Sequence, residues 1–260
     1  MAGWIASVVI LLFALAEANA TGRYCDKELC PRGGPHVGCK PPPFSGGPAC
    51  RGNQDVKQIS IPPKLRAYIL DQHNQNRSNI ALGKIAPYPP AVKMPTLTWD
   101  SELAELADAN ARSCQYGHDR CRATVKFPYA GQNIAITQFY GYKFTEKELI
   151  HKFISSWFGE YKDARKSHIQ SYPSTYSGKP IGHFTQIVSD RTTQVGCSMW
   201  YWKKGQTEAY YFVCNYSVTN IMDRTVYKQG ETGSECKKGK NPKYPGLCKV
   251  NEKPRSIMDP

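Results

Sequence analysis

Ten cysteines, at positions 25, 30, 39, 50, 114, 121, 197, 214, 236 and 248, constrain this chain more than any other feature. All lie beyond an apolar leader. The run from Trp4 to Leu15 is too short to span a bilayer, and small residues at Ala18 and Ala20 form the pattern of a signal-peptidase site, so cleavage is expected to leave Thr21 first. A membrane anchor would need about twenty apolar residues, and no other stretch qualifies. In an exported chain the oxidising pathway closes an even set of cysteines into disulfides. Tetrahedral zinc is the competing use. It fits poorly, because no CxxC pair occurs and the spacings Cys25-x4-Cys30-x8-Cys39-x10-Cys50 do not suit it. One pairing has a local argument. Thr193 to Trp202 and Thr207 to Tyr216 are aromatic and β-branched runs joined through Lys203-Lys204-Gly205-Gln206, and a hairpin there brings Cys197 within bridging distance of Cys214.

After the leader, residues 1–20, the chain divides into three parts. Residues 21–60 are rich in Cys, Pro and Gly, as in Pro41-Pro42-Pro43 and Ser45-Gly46-Gly47-Pro48, and such a segment buries little core and must be stapled. Residues 61–222 carry the main domain. Pro63 suits a first helical turn, Leu65, Tyr68, Ile69, His73, Asn76 and Ile80 recur at helical spacing, and Gly83 offers a stop. Asp100 caps a second helix with Leu103, Leu106, Ala107 and Asn110 on one face. Thr145 and Glu148 make a capping box before the stripe Leu149, Ile150, Phe153, Ile154, Trp157, Phe158 and Tyr161. Helices first and an antiparallel hairpin later predict an α+β fold, a sheet covered by helices. Residues 223–260 turn polar and basic and read as an appended extension with its own disulfide.

Two segments pair strand-forming apolar residues with one chemically capable side chain: Gly182-His183-Phe184-Thr185-Gln186-Ile187-Val188 and Tyr211-Phe212-Val213-Cys214-Asn215-Tyr216. Upstream lie His73-Asn74-Gln75-Asn76-Arg77 and Gly131-Gln132-Asn133-Ile134-Ala135. In this order the four blocks resemble the signature motifs of the CAP superfamily, the cysteine-rich secretory, antigen 5 and pathogenesis-related 1 proteins. The resemblance is strongest to dipteran antigen 5 and covers nearly all of the chain after the leader. It implies a three-layer α-β-α sandwich with disulfide-stapled extensions at both ends. It also implies the pairs Cys25–Cys39, Cys30–Cys121 and Cys50–Cys114, leaving Cys236 with Cys248 to close a short C-terminal loop.

Such proteins share a cleft of two histidines and two acids, which the resemblance matches to His118, Gln132, Glu160 and His183. Glu160 lies one helical step from Phe153 and Trp157, so its carboxylate is expected to be part-buried and to need a partner, for which histidine is the natural choice. Gln132 departs from the pattern. An amide neither takes nor gives a proton near neutral pH, so paired-carboxylate catalysis loses one member. The remaining groups either order the cleft through hydrogen bonds or let His118 and His183 hold zinc or copper; no cofactor is required. A serine protease site lacks its Gly-x-Ser-x-Gly elbow, and Ser189 and Ser198, which lie near the histidine block, read equally well as ordinary strand residues.

Three partner classes follow. Antigen 5 relatives in fly saliva include blockers of platelet aggregation that use Arg-Gly-Asp. Here Arg32-Gly33-Gly34 and Arg51-Gly52-Asn53 are near misses, lacking the carboxylate that completes an integrin's metal site, with Asp55 two residues further on. The aromatic set Trp157, Phe158, Trp200, Tyr201, Trp202, Tyr210, Tyr211 and Phe212 allows either core packing or capture of a small hydrophobic mediator or lipid. A formal charge of +13, rising by one when the leader's single acid Glu17 is removed, favours an anionic glycan, with Lys237-Lys238-Gly239-Lys240 the tightest basic run. Export leaves nucleic acid out. Of the glycosylation sequons at Asn76 and Asn215, the second lies in an expected strand beside Cys214. The expected function is a secreted, non-enzymatic binder in arthropod saliva or venom that interferes with host haemostasis or inflammation; the alternatives are a hydrophobic-mediator scavenger and a metal-dependent cleft enzyme.

Overall fold

The computed structural model describes residues 23–30 and 33–259; the leader and its cleavage site lie outside them. Strand β1 (Gln54–Ile59) is followed by α1 (Pro63–Ala81), a two-residue β2 (Thr98–Trp99), α2 (Ser101–Ala111) and β3 (Gly131–Phe139). Then come α3 (Glu146–Gly159), the short α4 (Lys166–Gln170) and α5 (Gly182–Val188), and the hairpin β4 (Gln194–Lys204) and β5 (Thr207–Tyr216). The sheet runs β1-β4-β5-β3, antiparallel throughout, and β2 pairs in parallel with the start of β4, below the end of β1 on the same edge.

The hairpin's period-2 alternation divides the core. Cys197 and Met199 of β4, with Phe212, Cys214 and Tyr216 of β5, face a large apolar layer supplied by α1, α3 and α5. Trp200, Trp202, Tyr211 and Val213 face the other way, against Ala107 and Ala111 of α2. Helices therefore cover both faces, giving three layers. Gly196 sits where α2 crosses β4: a Cβ there falls on the Ala104 amide nitrogen and the Asp100 carbonyl, so only glycine lets the helix lie so close. Asp100 caps α2 by accepting from Leu103 N–H at 3.0 Å, and Thr145 and Glu148 form the capping box of α3. All the large aromatics of the sequence-predicted set except Tyr210 are buried in these layers.

Cys197 and Cys214 are directly opposed in the hairpin and are bonded. The other disulfides are Cys25–Cys39, Cys30–Cys121, Cys50–Cys114 and Cys236–Cys248, the pairing the resemblance implied. Three sequence expectations need correction. Residues 182–188 are helical and not a strand. Phe184, Ile187 and Val188 all reach the core, which is the i, i+3, i+4 spacing of one helix face hidden under β-forming residue types. The boundary at residue 60 cuts off β1, which belongs to the sheet although the rest of 21–60 is irregular. Residues 223–260 are no mere appendage. Val226, Tyr227, Tyr244 and Leu247 are part of the main core, and Cys248 N–H and C=O bond to Met94 and Thr96. Spaced among lysines and glycines, these four apolar residues show no helical or strand period.

The polar residues of the first signature block tie the helical layer together. Arg77 is fully buried and donates to the carbonyls of Pro95 at 2.7 Å, Ile187 at 2.7 Å, Ser189 at 2.8 Å and Thr192 at 3.1 Å. Asn74 exchanges two hydrogen bonds with the Leu97 backbone. His73, also fully buried, donates from Nδ1 to Ile69 C=O at 2.8 Å and accepts the Tyr216 hydroxyl at Nε2, 2.9 Å away.

Candidate functional site

The cleft is built from the end of α3, the start of α5, the first residues of β3 and the loop between the half-cystines Cys114 and Cys121. Helix α5 starts without a capping side chain of its own, since Ile181 occupies its N-cap. Glu160, just past α3, supplies the cap from outside. Its Oε2 accepts from the backbone N–H of His183 at 2.9 Å and of Phe184 at 3.1 Å, and Oε1 accepts from His183 Nδ1 at 2.6 Å. A carboxylate at a helix start also complements the positive end of the backbone dipole. Trp157 of α3 stacks on the His183 ring with centroids 5.9 Å apart, and Asn133 donates to the His183 carbonyl at 3.2 Å. Position and tautomer of His183 are thereby fixed: Nδ1 carries the proton and Nε2 is left for the cleft.

His118 is held differently. Its loop is anchored at one end by Cys50–Cys114 and at the other by Cys30–Cys121. Nδ1 donates to Gln132 Oε1 at 2.8 Å, while Gln132 Nε2 donates to Asp119 Oδ2 at 2.6 Å and Asn215 Oδ1 at 3.0 Å. The amide thus accepts on one side and donates on the other, which a carboxylate cannot do. Asp119 is further held by Arg122 Nε at 2.8 Å and by Asn110 at 3.0 Å. Partial loss of solvent around the ring holds His118 below the usual histidine range, offset by the Gln132 hydrogen bond and reinforced by the positive charge of Arg122. The neutral form therefore dominates at neutral pH.

The structure gathers His118 with Gln132 and His183 with Glu160, and the two imidazoles are near enough to influence each other's charge. Sequence reasoning missed Asp119, Asn215 and Trp157 as part of this assembly. Asp119 was legible only as the neighbour of His118. A groove of about 550 Å³ opens beside His118, between Pro35 to Lys40 and the end of α2, but neither His183 nor Glu160 lines it. Among the described residues no group of three His, Cys, Asp or Glu side chains is placed to hold a metal ion, so the donor set of the cleft is the two free Nε2 atoms. Ser198 Oγ donates to Asp108 Oδ1 at 2.8 Å beneath α2, and Ser189 is buried with its carbonyl on Arg77; neither hydrogen-bonds a histidine.

The second near miss to Arg-Gly-Asp lies on an exposed turn. Arg51 and Gly52 are exposed directly after the half-cystine Cys50, Gly52 has φ +79°, and Asn53 N–H returns to Cys50 C=O at 3.0 Å. Asp55 is engaged by Lys203 Nζ at 3.2 Å. In the first near miss, Gly33 and Gly34 are exposed with positive φ, and Arg32 lies outside the described residues. Asn215 is fully buried in β5, which closes that sequon to modification, whereas Asn76 is part-exposed on α1.

Residues 70–216 match the family model described as the cysteine-rich secretory protein family. The chain is 46% identical over 255 residues to venom allergen-1 of Aedes aegypti, covering 97% of this chain and 98% of that protein. It is 39% identical to the antigen 5 like allergen Cul n 1 of Culicoides nubeculosus, covering 74% and 89%. Among solved structures it resembles NaASP2 with Zn2+, at 26% identity and a TM-score of 0.58 over 72% of this chain and 95% of that one. The hookworm platelet inhibitor shares the fold at 18% identity, with a TM-score of 0.55 over 77% of this chain and 97% of that one. With its sandwich, its four signature blocks and its relatives in agreement, this chain belongs to the CAP family, in its antigen 5 and venom allergen branch.

Proposed function

We infer that this chain is a secreted antigen 5-type protein of arthropod saliva or venom that acts by occupying a host target and not by turnover. The observation carrying this reading is the commitment of the cleft's carboxylate and amide groups to fixed partners. Glu160 is spent on the His183 ring and two backbone N–H groups, and the place of a second acid is taken by Gln132, wedged between His118 and Asp119. Paired-carboxylate acid–base chemistry needs a carboxyl group free to exchange a proton with a substrate, and neither position supplies one. Five disulfides and venom-allergen relatives support an extracellular setting.

For the target, the exposed Arg51 turn is the favoured contact surface, because a loop held in advance by Cys50–Cys114 loses less entropy on binding. The reading is tested by platelet aggregation and integrin binding with wild type, Arg51→Ala and His183→Ala. Arg51→Ala is expected to lose inhibition and His183→Ala to keep it; the reverse pattern contradicts the binding-turn reading. If none of the three affects platelets, a hydrophobic-mediator scavenger replaces it, checked by extracting bound lipid from the purified protein.

A second reading rests on the two imidazoles whose Nε2 atoms remain free. With Nδ1 locked on each, His118 and His183 are suited to share a zinc or copper ion whose other positions are filled by water, and NaASP2, a relative in fold, has a crystal structure with Zn2+. Zinc titration calorimetry is expected to show heat for wild type and none for the His118→Ala plus His183→Ala double variant. Unchanged heat in that variant contradicts this site.

A further inference from the structure

A second cavity, of about 760 Å³, opens on the opposite kind of chemistry. It is formed almost wholly by the C-terminal segment, from Thr225 to Asp259, with Lys93 and Gln170 completing the wall. Five cationic side chains line it, Lys93, Lys228, Lys237, Lys253 and Arg255, against two acids, Glu235 and Asp259. Its volume falls in the range of about 300–1,000 Å³ usual for ligand sites.

The cations differ in what they are free to do. Lys93 is paired with the buried Glu252 at 3.2 Å and Arg255 with the buried Asp190 at 3.0 Å, so these two build the wall. Lys228 is paired with Glu235. Asp259 is turned onto its own loop, accepting from Ser256 N–H at 3.0 Å. Lys237 and Lys253 are exposed and take part in no ion pair among the described residues. Gln229 also lines the cavity, and its amide nitrogen is buried and has no acceptor among the described residues. A buried donor without a partner is costly, and an acceptor supplied by a ligand would satisfy it.

Lys237 also opens the run Lys237-Lys238-Gly239-Lys240. The Cys236–Cys248 bond and the hydrogen bond from Lys249 N–H to Gly239 C=O, 2.9 Å, fold that run back so that the Lys249 side chain reaches Gly239. Basic residues therefore continue beyond the cavity through Lys238, Lys240 and Lys249. Lysines present point charges on flexible stems and not the rigid fork that selects one phosphate or carboxylate.

We propose that this C-terminal cavity and the adjoining lysine run bind a sulfated glycan chain, with one sulfate in the cavity at Lys237, Lys253 and the Gln229 amide and further sulfates along Lys238 and Lys240. The proposal rests on the extracellular reading above, since sulfated glycans are the polyanions met outside cells, and is independent of the platelet target.

The test uses the full mature protein and a heparin-derived oligosaccharide as probe. Lys237→Ala plus Lys253→Ala is compared with Lys27→Ala plus Lys64→Ala, which removes equal charge from exposed sites elsewhere. At about 0.15 M salt, wild type is expected to bind with the first pair about tenfold weaker and the control within about twofold of wild type. Gln229→Leu is expected to weaken binding while leaving the lysines in place. Both double variants change only exposed side chains, and equal thermal midpoints confirm that folding is unaffected. Equal loss in the control overturns the site in favour of whole-molecule charge. Displacement by inorganic sulfate as effective as by the oligosaccharide at equal sulfate concentration overturns the polyanion and leaves a small-anion site.

Discussion

His73 sits where no water reaches it, with one ring nitrogen on Ile69 C=O and the other on the Tyr216 hydroxyl. Burial, with the Arg77 charge adding to it, pushes its imidazole down to about 4. The native state thus holds His73 neutral over a range where the unfolded chain, with a value of about 6.5, takes up a proton. Its contribution to stability is complete above pH about 6.5 and is lost as pH falls towards 4, by roughly 3 kcal/mol. Burial moves His36 and His118 in the same direction. Chemical denaturation across pH 4 to 7, a window of about three units, is expected to show stability rising with pH, and His73→Gln to flatten the slope. An unchanged slope in the variant assigns the effect to other groups. From the sequence, His73 was legible as one position on a helical stripe and as the head of a signature block, but not as a buried group. Its partner Tyr216 lies on β5, a pairing that no local pattern encodes. Glu160 was more readable: its place beside an apolar face implied a part-buried carboxylate in need of a histidine, and it has one at 2.6 Å.

At the scale of elements, capped helices and the hairpin could be read because their signals are local. Asp100 with Leu103, Thr145 with Glu148, and the alternation through Cys197 and Cys214 are each complete within a few residues. Helix α5 was misread because Thr185, Ile187 and Val188 favour strands in isolation, and the cap that starts the helix comes from Glu160, more than twenty residues earlier. The C-terminal segment was misread for a related reason: its core contacts are scattered, and only the fold brings Tyr227, Tyr244 and Leu247 together. Close approach of α2 to β4 is likewise invisible locally, yet it hangs on Gly196. Gly196→Ala forces backbone apart at Ala104 and Asp100, and overpacking of this kind costs about 1–3 kcal/mol or more. Thermal denaturation is expected to show the loss in Gly196→Ala and none in Gly159→Ala, at the end of α3, where φ is −57° and a Cβ meets nothing within 4 Å. Equal midpoints for Gly196→Ala and wild type contradict the contact.

For the molecule as a whole, three disulfides clamp the N-terminal segment, one to itself and two to the loop that carries His118, while the hairpin and the C-terminal loop have one each. The sandwich beneath supplies a rigid frame; the Arg51 turn, the cleft and the basic C-terminal cavity are carried on it as separate surfaces. On the proposed reading these surfaces are what a target meets, and the commitment of Glu160 and Gln132 is the reason to expect binding in place of turnover. The most direct test is inhibition of platelet aggregation measured against both dose and preincubation time. Inhibition is expected to reach a plateau set by the ratio of protein to target and to stay there, in wild type and in the His118→Ala plus His183→Ala variant alike. Inhibition that keeps growing with time at substoichiometric dose, and that disappears in the double variant, would show the cleft to be catalytic and contradict this account.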